Sequence, residues 1–232
     1  MIRHISIKNF ATIEKAEIDF HSGLNTITGE TGAGKTTTLK SVAGILQFDG
    51  GEILVGGKSV RTQPLECKKM IAYIPDNPDL YEYMTGIKYL NFIADIFGVS
   101  AQARQERVRK YADLFELTAD LAQPIAAYSH GMKQKLAIIS AWLHEPKLII
   151  MDEPFVGLDP KAAHILKGMM RELCSAGGAI FFSTHVLEVA EKLCDKVAII
   201  KGGKLIRSGT MEEVKGDASL ESVFLELEDE SC

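Results

Sequence analysis

The chain has 232 residues, of which 46% are apolar, and its formal net charge is −5. This length can bury the core of an α/β domain with an inserted subdomain, and the acidic balance excludes a general attraction to nucleic acid. The four cysteines have no C-x-x-C spacing, which indicates free thiols and neither a zinc site nor a disulfide framework. The N-terminus lacks the apolar core of a signal peptide, and the apolar runs are too short to cross a bilayer, so we expect another chain to supply any membrane span.

Short apolar runs typical of β-strands recur along the chain. In order they are 2–7, 16–20, 24–28, 52–55, 70–74, 148–151, 179–183, 197–201 and 204–207. The early runs lie close together with turn residues between them, which predicts an antiparallel sheet, and the later runs alternate with helical patterns, which predicts a parallel α/β core. Residues 81–143 contain no convincing strand and follow helical spacing. We therefore expect a core with a β-subdomain (1–80 and 144–215), a helical subdomain (81–143) and a helical tail (216–232).

The sequence GETGAGKTT at 29–37 fits the phosphate-binding pattern G-x-x-x-x-G-K-[ST], between a predicted strand and a predicted helix. Glycines allow backbone N–H groups to point inward at a phosphate, and the N-terminus of the helix adds its positive dipole. Lys35 is expected to meet the β- and γ-phosphates, and the Thr36 hydroxyl to hold Mg²⁺. The alternative is a glycine turn that caps an ordinary helix. The predicted nucleotide contacts here are Gly29, Glu30, Thr31, Gly32, Ala33, Gly34, Lys35, Thr36 and Thr37.

A second pattern places two carboxylates after the apolar run 148–151, where open α/β sheets bind ligands. Asp152 is expected to bind Mg²⁺ through a water, because Mg²⁺ keeps much of its hydration shell. Glu153 is expected to polarise the water that attacks the γ-phosphate. Many strands end in acidic turns, but the position downstream of a phosphate loop favours catalysis.

A third pattern, Tyr128-Ser129-His130-Gly131-Met132, opens a predicted helix. Ser129 can cap that helix, and Gly131 lets its first N–H groups approach a phosphate closely. A serine cap alone is a common structural feature.

Together these motifs resemble the ATP-binding cassette (ABC) family. The Ser-x-Gly helix start follows Lys35 by 94 residues, the Asp-Glu strand end follows that, and Ser183-Thr184-His185 comes last. From residue 37 to about 214 the chain is similar to the cassette of a bacterial ABC exporter. The resemblance implies a phosphate-loop ATPase with an antiparallel β-subdomain and a helical subdomain.

The resemblance also implies partners and roles. Two copies would bind head to tail, each enclosing ATP and Mg²⁺ between its own phosphate loop and the Ser129, Gly131 and Met132 segment of the other copy. His185 would contact the γ-phosphate and the attacking water, and residues 155–159 would communicate across the dimer. Asp159 is also a reasonable helix N-cap with Pro160 behind it. A transmembrane permease would be the further partner, no nucleic acid is expected, and the site of action would be the cytoplasmic face of the cell membrane.

Three departures from the family pattern stand out. Asp76 occupies the place of a glutamine that reaches Mg²⁺, so we expect it to ligate the metal through water. His130 and Met132 replace the usual Gly and Gln, which leaves Ser129 and the following glycine as the contacts that fit. Residues 1 to about 34 resemble instead the head of repair and chromosome ATPases of the RecN and SMC kind, and Phe10 is the nearest candidate to stack on adenine.

Alternative functions remain open at this point. The chain is an ATPase subunit that powers transport through a membrane partner, or a natural or engineered mosaic with weak or uncoupled ATPase activity. A DNA-repair ATPase is the third alternative, but 94 residues leave no room for the long coiled coil of such proteins, and no sustained heptads appear.

Overall fold

The computed structural model describes residues 2–10, 13–19 and 23–229, with side chains described from residue 23 to residue 227. Within these residues ten strands form one sheet in the order β5-β4-β1-β2-β10-β9-β3-β8-β7-β6. The strand bounds are β1 Ile2–Phe10, β2 Ile13–Asp19, β3 Gly23–Thr28, β4 Gly50–Val55, β5 Lys58–Ser59, β6 Ile71–Ile74, β7 Leu148–Met151, β8 Ala179–Ser183, β9 Lys196–Lys201 and β10 Lys204–Thr210. All nine predicted strands are present, and the two-residue β5 was not predicted. The predicted end of the second strand, Phe20, lies outside the described residues.

The sheet has an antiparallel end and a parallel end. β1 pairs antiparallel with β2 and β4, and β4 pairs antiparallel with β5. β3 pairs parallel with β8 and β9, and β7 pairs parallel with β6 and β8. The assignment of β3 and β6 to the early antiparallel group was therefore wrong, because both strands find their partners more than 70 residues away along the chain.

Nine α-helices accompany the sheet in the described part of the chain. They are α1 Lys35–Val42, α2 Pro64–Lys68, α3 Gly86–Ile96, α4 Ala101–Leu114, α5 His130–Trp142, α6 Pro160–Ser175, α7 Leu187–Leu193, α8 Met211–Lys215 and α9 Leu220–Asp229. Side-chain oxygens cap several of them as the sequence predicts. Ser129 accepts from the N–H of Met132 at 3.3 Å, and Asp159 accepts from the N–H of Ala162 at 2.8 Å. Between residues 81 and 143 the only described β-type pairing is a single bridge from Thr85 to Pro124.

The parallel strands separate two apolar cores, because successive residues of a strand point to opposite faces. Phe181 packs with Leu39 and Val42 of α1 on one face. Its neighbours Ile180 and Phe182 pack on the other face with α5, α6 and the tail helix α9. This arrangement holds α1 against the centre of the sheet, with its N-terminus at the carboxyl ends of the parallel strands.

A histidine joins the helices α3 and α5 to the sheet. The ring of His144, just after α5, stacks on Phe97 at the end of α3, with centroids 3.7 Å apart and planes 11° apart. Its Nε2 lies 3.3 Å from the carbonyl oxygen of Ile71 at the start of β6. Arg107 of α4 donates to the carbonyl of Leu143 at 2.6 Å. Helices α3, α4 and α5 therefore meet the edge of the sheet at one point.

In the part of the chain that the structure describes, no helix combines the length and the apolar character that crossing a lipid bilayer requires. The cysteines Cys67, Cys174 and Cys194 are free thiols, as predicted, and Cys232 lies outside the described residues.

Candidate functional site

The phosphate loop leads from β3 into α1, and its glycines are required by its geometry. Gly29 has φ 154°, and a Cβ atom there would lie 2.1 Å from the carbonyl oxygen of Ile200 on β9. Gly34 is the N-cap of α1 with φ 102°, and no side chain caps this helix. The first N–H groups of α1 have no acceptor within the helix, as at any helix start, so they are available to an anion.

The Lys35 ammonium lies inside this loop. Its Nζ donates to the carbonyl oxygen of Gly29 at 2.5 Å and to that of Glu30 at 3.2 Å. Burial lowers the pKa of Lys35, while the carboxylates of Glu153 and Asp152 act in the opposite direction. The loop thus holds a cation at the helix N-terminus, which suits a polyphosphate.

Asp152 follows β7 and is 1% exposed. Its Oδ2 accepts a hydrogen bond from the Thr36 hydroxyl at 2.6 Å, and its Oδ1 accepts one from the Ser183 hydroxyl. Its backbone N–H donates to the carbonyl of Ile74 at 2.9 Å, which ties it to β6. A hydroxyl and a carboxylate oxygen therefore lie side by side, as Mg²⁺ ligation requires.

Glu153 is held in an uncommon backbone conformation, with φ 45°. Its N–H donates to the Ser183 Oγ at 3.0 Å, and its Oε2 lies 3.0 Å from the Nδ1 of His185. The Glu153 side chain is 19% exposed, whereas that of His185 is 61% exposed. A carboxylate and an imidazole thus meet at the mouth of the cleft, where both can contact a water molecule.

These residues line one cleft of about 400 Å³. The predicted site residues that line it are Glu30, Thr31, Gly32, Gly34, Lys35, Thr36, Thr37, Asp76, Asp152, Glu153 and His185. Ala33 is buried and does not line the cleft, and its carbonyl accepts from the N–H of Gly203 at 3.2 Å. The phosphate loop and the carboxylates predicted from separate parts of the sequence therefore come together.

Asp76 lines the same cleft, but its Oδ1 accepts a hydrogen bond from the N–H of Asn77 at 2.8 Å. No three acidic, histidine or cysteine side chains among the described residues are placed to hold a metal ion together. A metal role for Asp76 therefore stays a prediction. Under the cleft, burial and the charges of Asp152 and Asp76 raise the pKa of Tyr73.

The Ser129 segment is not part of this cleft. Ser129 is exposed at the start of α5, and a Cβ atom on Gly131 would lie 2.9 Å from the carbonyl oxygen of Gly157. Met132 is partly buried and packs against the apolar core beside α5. In a single chain the structure does not bring Ser129, Gly131 and Met132 to the phosphate loop.

Two features of the site were not predicted from the sequence. Ser183 bridges the Asp152 carboxylate and the backbone of Glu153. Its only sequence signal was its position in Ser-Thr-His at the end of an apolar strand. Lys135 forms an ion pair with Asp159, with Nζ and Oδ2 2.7 Å apart. The side chain of Phe10, predicted as an adenine contact, lies outside what the structure describes.

Comparison with known proteins agrees with this geometry. The family model described as ABC transporter matches residues 15–156. The ABC-type transporter ATP-binding protein EcsA of Bacillus subtilis is 36% identical over 236 residues, which cover 99% of this chain and 93% of EcsA. An ABC transporter ATP-binding protein of Nostoc sp. is 37% identical over 81% of this chain, and the chain spans 56% of the length of that relative.

Solved structures show the same relationship. An ATP-binding subunit of an ABC transporter superposes with a TM-score of 0.90 and 34% identity over 98% of both chains. CbiO1 of Clostridium perfringens, part of the complex cbiONQ, has a TM-score of 0.77 and 23% identity, which shows the shared fold. The matches to EcsA and to the ATP-binding subunit extend over nearly the whole chain, so they give no support to a spliced N-terminal segment. The chain belongs to the ABC transporter family and is one of its ATP-binding, ATP-hydrolysing subunits.

Proposed function

We propose that two copies of this chain bind MgATP between them and that its hydrolysis drives transport through a separate membrane protein. One observation carries the proposal. The Thr36 hydroxyl, the Asp152 carboxylate, Glu153 and His185 converge on the phosphate loop at the carboxyl ends of parallel strands.

The chain's own residues supply positioning and charge. The loop N–H groups and Lys35 neutralise the triphosphate, for which Lys35 exchanges the carbonyl oxygens of its own loop for phosphate oxygens. Thr36 and Asp152 would hold Mg²⁺, whose positive charge would offset that of the phosphates. Glu153 accepts hydrogen bonds from the attacking water, and His185 orients that water and the γ-phosphate.

The second copy completes the site in this proposal. Ser129 and His130 are exposed, and the Ser129 segment does not line the cleft of its own chain. A helix start with a glycine at its second position suits the γ-phosphate of another copy. A two-fold axis then forms two equivalent sites.

The membrane partner is expected to bind beside Asp76, between the sheet and α3. Tyr81 and Tyr83 are 45% and 80% exposed there, and Tyr81 also contacts Phe92 of α3 with ring centroids 5.6 Å apart. Exposed aromatic residues of this kind are typical of protein interfaces. We place the protein at the cytoplasmic face of a membrane, and the transported substrate is set by the partner.

The proposal is tested with Glu153→Gln, whose uncharged amide is a poor base. We expect this variant to bind ATP, to form a dimer on size-exclusion chromatography only with ATP and Mg²⁺, and to release little phosphate. Glu172→Gln, an exposed position on α6, is the matched control and should hydrolyse ATP normally. Unchanged hydrolysis in Glu153→Gln would remove this residue from its role.

A second variant tests the phosphate loop separately. Lys35→Ala should lose ATP affinity in calorimetry, because the cation inside the loop is gone. Calorimetry of the unaltered chain with and without Mg²⁺ also addresses the alternative of a folded cassette that binds ATP poorly. Retained affinity in Lys35→Ala would contradict the assignment of the loop.

A further inference from the structure

Gln134, in the second turn of α5, is a buried amide without a partner. The residue is 0% exposed, and neither its Oε1 nor its Nε2 has a hydrogen-bond partner in the described part of the chain. A buried polar group left unpaired costs about 1–3 kcal/mol, so such groups normally have partners. An apolar side chain of the same size would avoid this cost. Gln134 therefore has hydrogen-bonding capacity that another state of the protein can use.

The helix turn before Gln134 packs on one short loop. We call residues 154–159, between Glu153 and α6, the Gly157 loop. A Cβ atom on Gly131 would lie 2.9 Å from the Gly157 carbonyl oxygen, and a Cβ atom on Gly157 would lie 2.5 Å from the His130 ring. Gly131 and His130 are the residues three and four positions before Gln134. Because residues three and four positions apart share a face of a helix, Gln134 lies on the face of α5 that packs on the Gly157 loop.

The Gly157 loop has backbone N–H and carbonyl groups of the kind that an amide side chain can bond. Within the described residues, the N–H of Phe155 and both the N–H and the carbonyl of Gly157 make no hydrogen bond. The Gln134 amide offers both a donor and an acceptor, so it can bond to a backbone carbonyl and to a backbone N–H. In the present conformation the two sets are not paired.

The same loop is attached to the proposed general base. The Val156 N–H donates to the Glu153 carbonyl at 3.1 Å, and Glu153 itself has φ 45°. A conformation of this kind costs energy and persists only while its surroundings hold it. Movement of the Gly157 loop therefore moves the backbone that directs the Glu153 carboxylate. The other end of the loop is held to α5 by the ion pair between Lys135 and Asp159.

We propose that Gln134 is a positioning residue that pairs with the Gly157 loop when the tip of α5 binds the triphosphate of a second copy. The pairing sets Glu153 of the same chain for hydrolysis, so nucleotide bound in one site increases turnover in the other. This inference rests on the proposed function, in which Ser129 faces a partner's ATP. It adds a link within each chain between its α5 and its Glu153.

The test replaces the amide with a side chain of similar length and no hydrogen-bonding groups. Gln134→Met should keep the thermal unfolding midpoint and the ATP affinity, but lower kcat about tenfold and abolish the cooperative dependence of the rate on ATP concentration. Ser140→Ala is the control, since Ser140 is a buried polar residue of the same helix whose hydroxyl already donates to Ala137 at 2.8 Å. It should leave both kinetic quantities unchanged. Unchanged kcat and cooperativity in Gln134→Met, or a loss explained by lower stability or weaker ATP binding, would overturn the inference.

A second measurement does not depend on how the variant folds. In the Glu153→Gln protein, ATP and Mg²⁺ should slow hydrogen exchange at the N–H groups of Phe155 and Gly157. If the dimer forms with ATP and exchange at these groups is unchanged, the role of Gln134 is refuted while the dimer stands. If no dimer forms, the proposed function itself fails. The two failures are therefore distinguishable.

Discussion

Acidification should destabilise this protein through the His144 ring, which lies between α3, α5 and the start of β6. The ring stacks on Phe97, its Nε2 lies 3.3 Å from the Ile71 carbonyl, and its Nδ1 is buried without a partner among the described residues. Burial lowers the pKa of His144 from 6.5 to about 4; the bond to the Ile71 carbonyl opposes this shift and the charge of Arg107 adds to it. The folded protein therefore keeps this imidazole neutral well below pH 6.

The sign of the effect follows from proton uptake. Between pH 6.5 and about 4 the unfolded chain protonates His144 and the folded chain does not, so the free energy of unfolding falls as the pH falls through this range and levels off below it. A pKa difference from 6.5 to about 4 corresponds, at ~1.4 kcal/mol per unit, to roughly 3 kcal/mol. The partial exposure of the ring reduces this figure to roughly 2 kcal/mol.

The assay is urea unfolding at pH 7 and pH 4.5, followed by the fluorescence of Trp142. This is the only tryptophan of the chain, it is 5% exposed, and it lies two residues from His144. His144→Phe keeps an aromatic ring against Phe97 but cannot take up a proton. We expect the unaltered protein to lose roughly 2 kcal/mol more than this variant between the two pH values.

The carboxylates titrate equally in both proteins, so the difference isolates the ring. His164→Phe, at an exposed position on α6, is the matched control and should follow the unaltered protein. Equal pH dependence in the unaltered protein and His144→Phe would refute the reasoning.

Three further substitutions test other parts of the structure. Gly29→Ala should lower the free energy of unfolding by about 2 kcal/mol or more and abolish ATP binding, because the new Cβ would lie 2.1 Å from a carbonyl oxygen of β9. Gly32→Ala is the control and should lower it less, because a Cβ atom there would meet nothing within 4 Å. Ser183→Ala removes the hydroxyl that bonds Asp152, so phosphate release should fall about tenfold while Mg²⁺-free ATP affinity in calorimetry stays unchanged. Phe181→Ala empties a site that is 0% exposed and should cost about 3–5 kcal/mol in urea unfolding.

Each element that could be located from the sequence is encoded by a short, continuous stretch of residues. The phosphate loop, the strand that ends at Asp152 and the Ser129 cap are each encoded within about ten residues. The orientation of β3 was not. Turn residues near it favoured an antiparallel partner, but Leu24 pairs in parallel with Ile180. Such a pairing depends on which distant strand completes the sheet. The residues next to β3 in the sequence therefore do not predict its direction.

The residues of the site also divide into those that a local motif predicts and those whose role depends on distant strands. Lys35, Asp152 and Glu153 were predictable because each occupies a fixed position in a motif. The bridging hydroxyl of Ser183 was not, because its role depends on the parallel register of β7 and β8, in which Met151 lies beside Phe182. The burial of Gln134 without a partner was equally invisible, since glutamine near the start of a helix is usually solvated.

The position of β6 at the end of the sheet bears on how the proposed membrane partner would influence ATP hydrolysis. β6 pairs with β7 alone among the described strands, and two residues after its last residue, Ile74, comes Asp76. The Ile74 carbonyl accepts the Asp152 N–H at 2.9 Å. A force applied at the outer loop therefore reaches Asp152, the proposed Mg²⁺ ligand, across a single hydrogen bond. Displacing this terminal strand disturbs only one ladder of the described sheet.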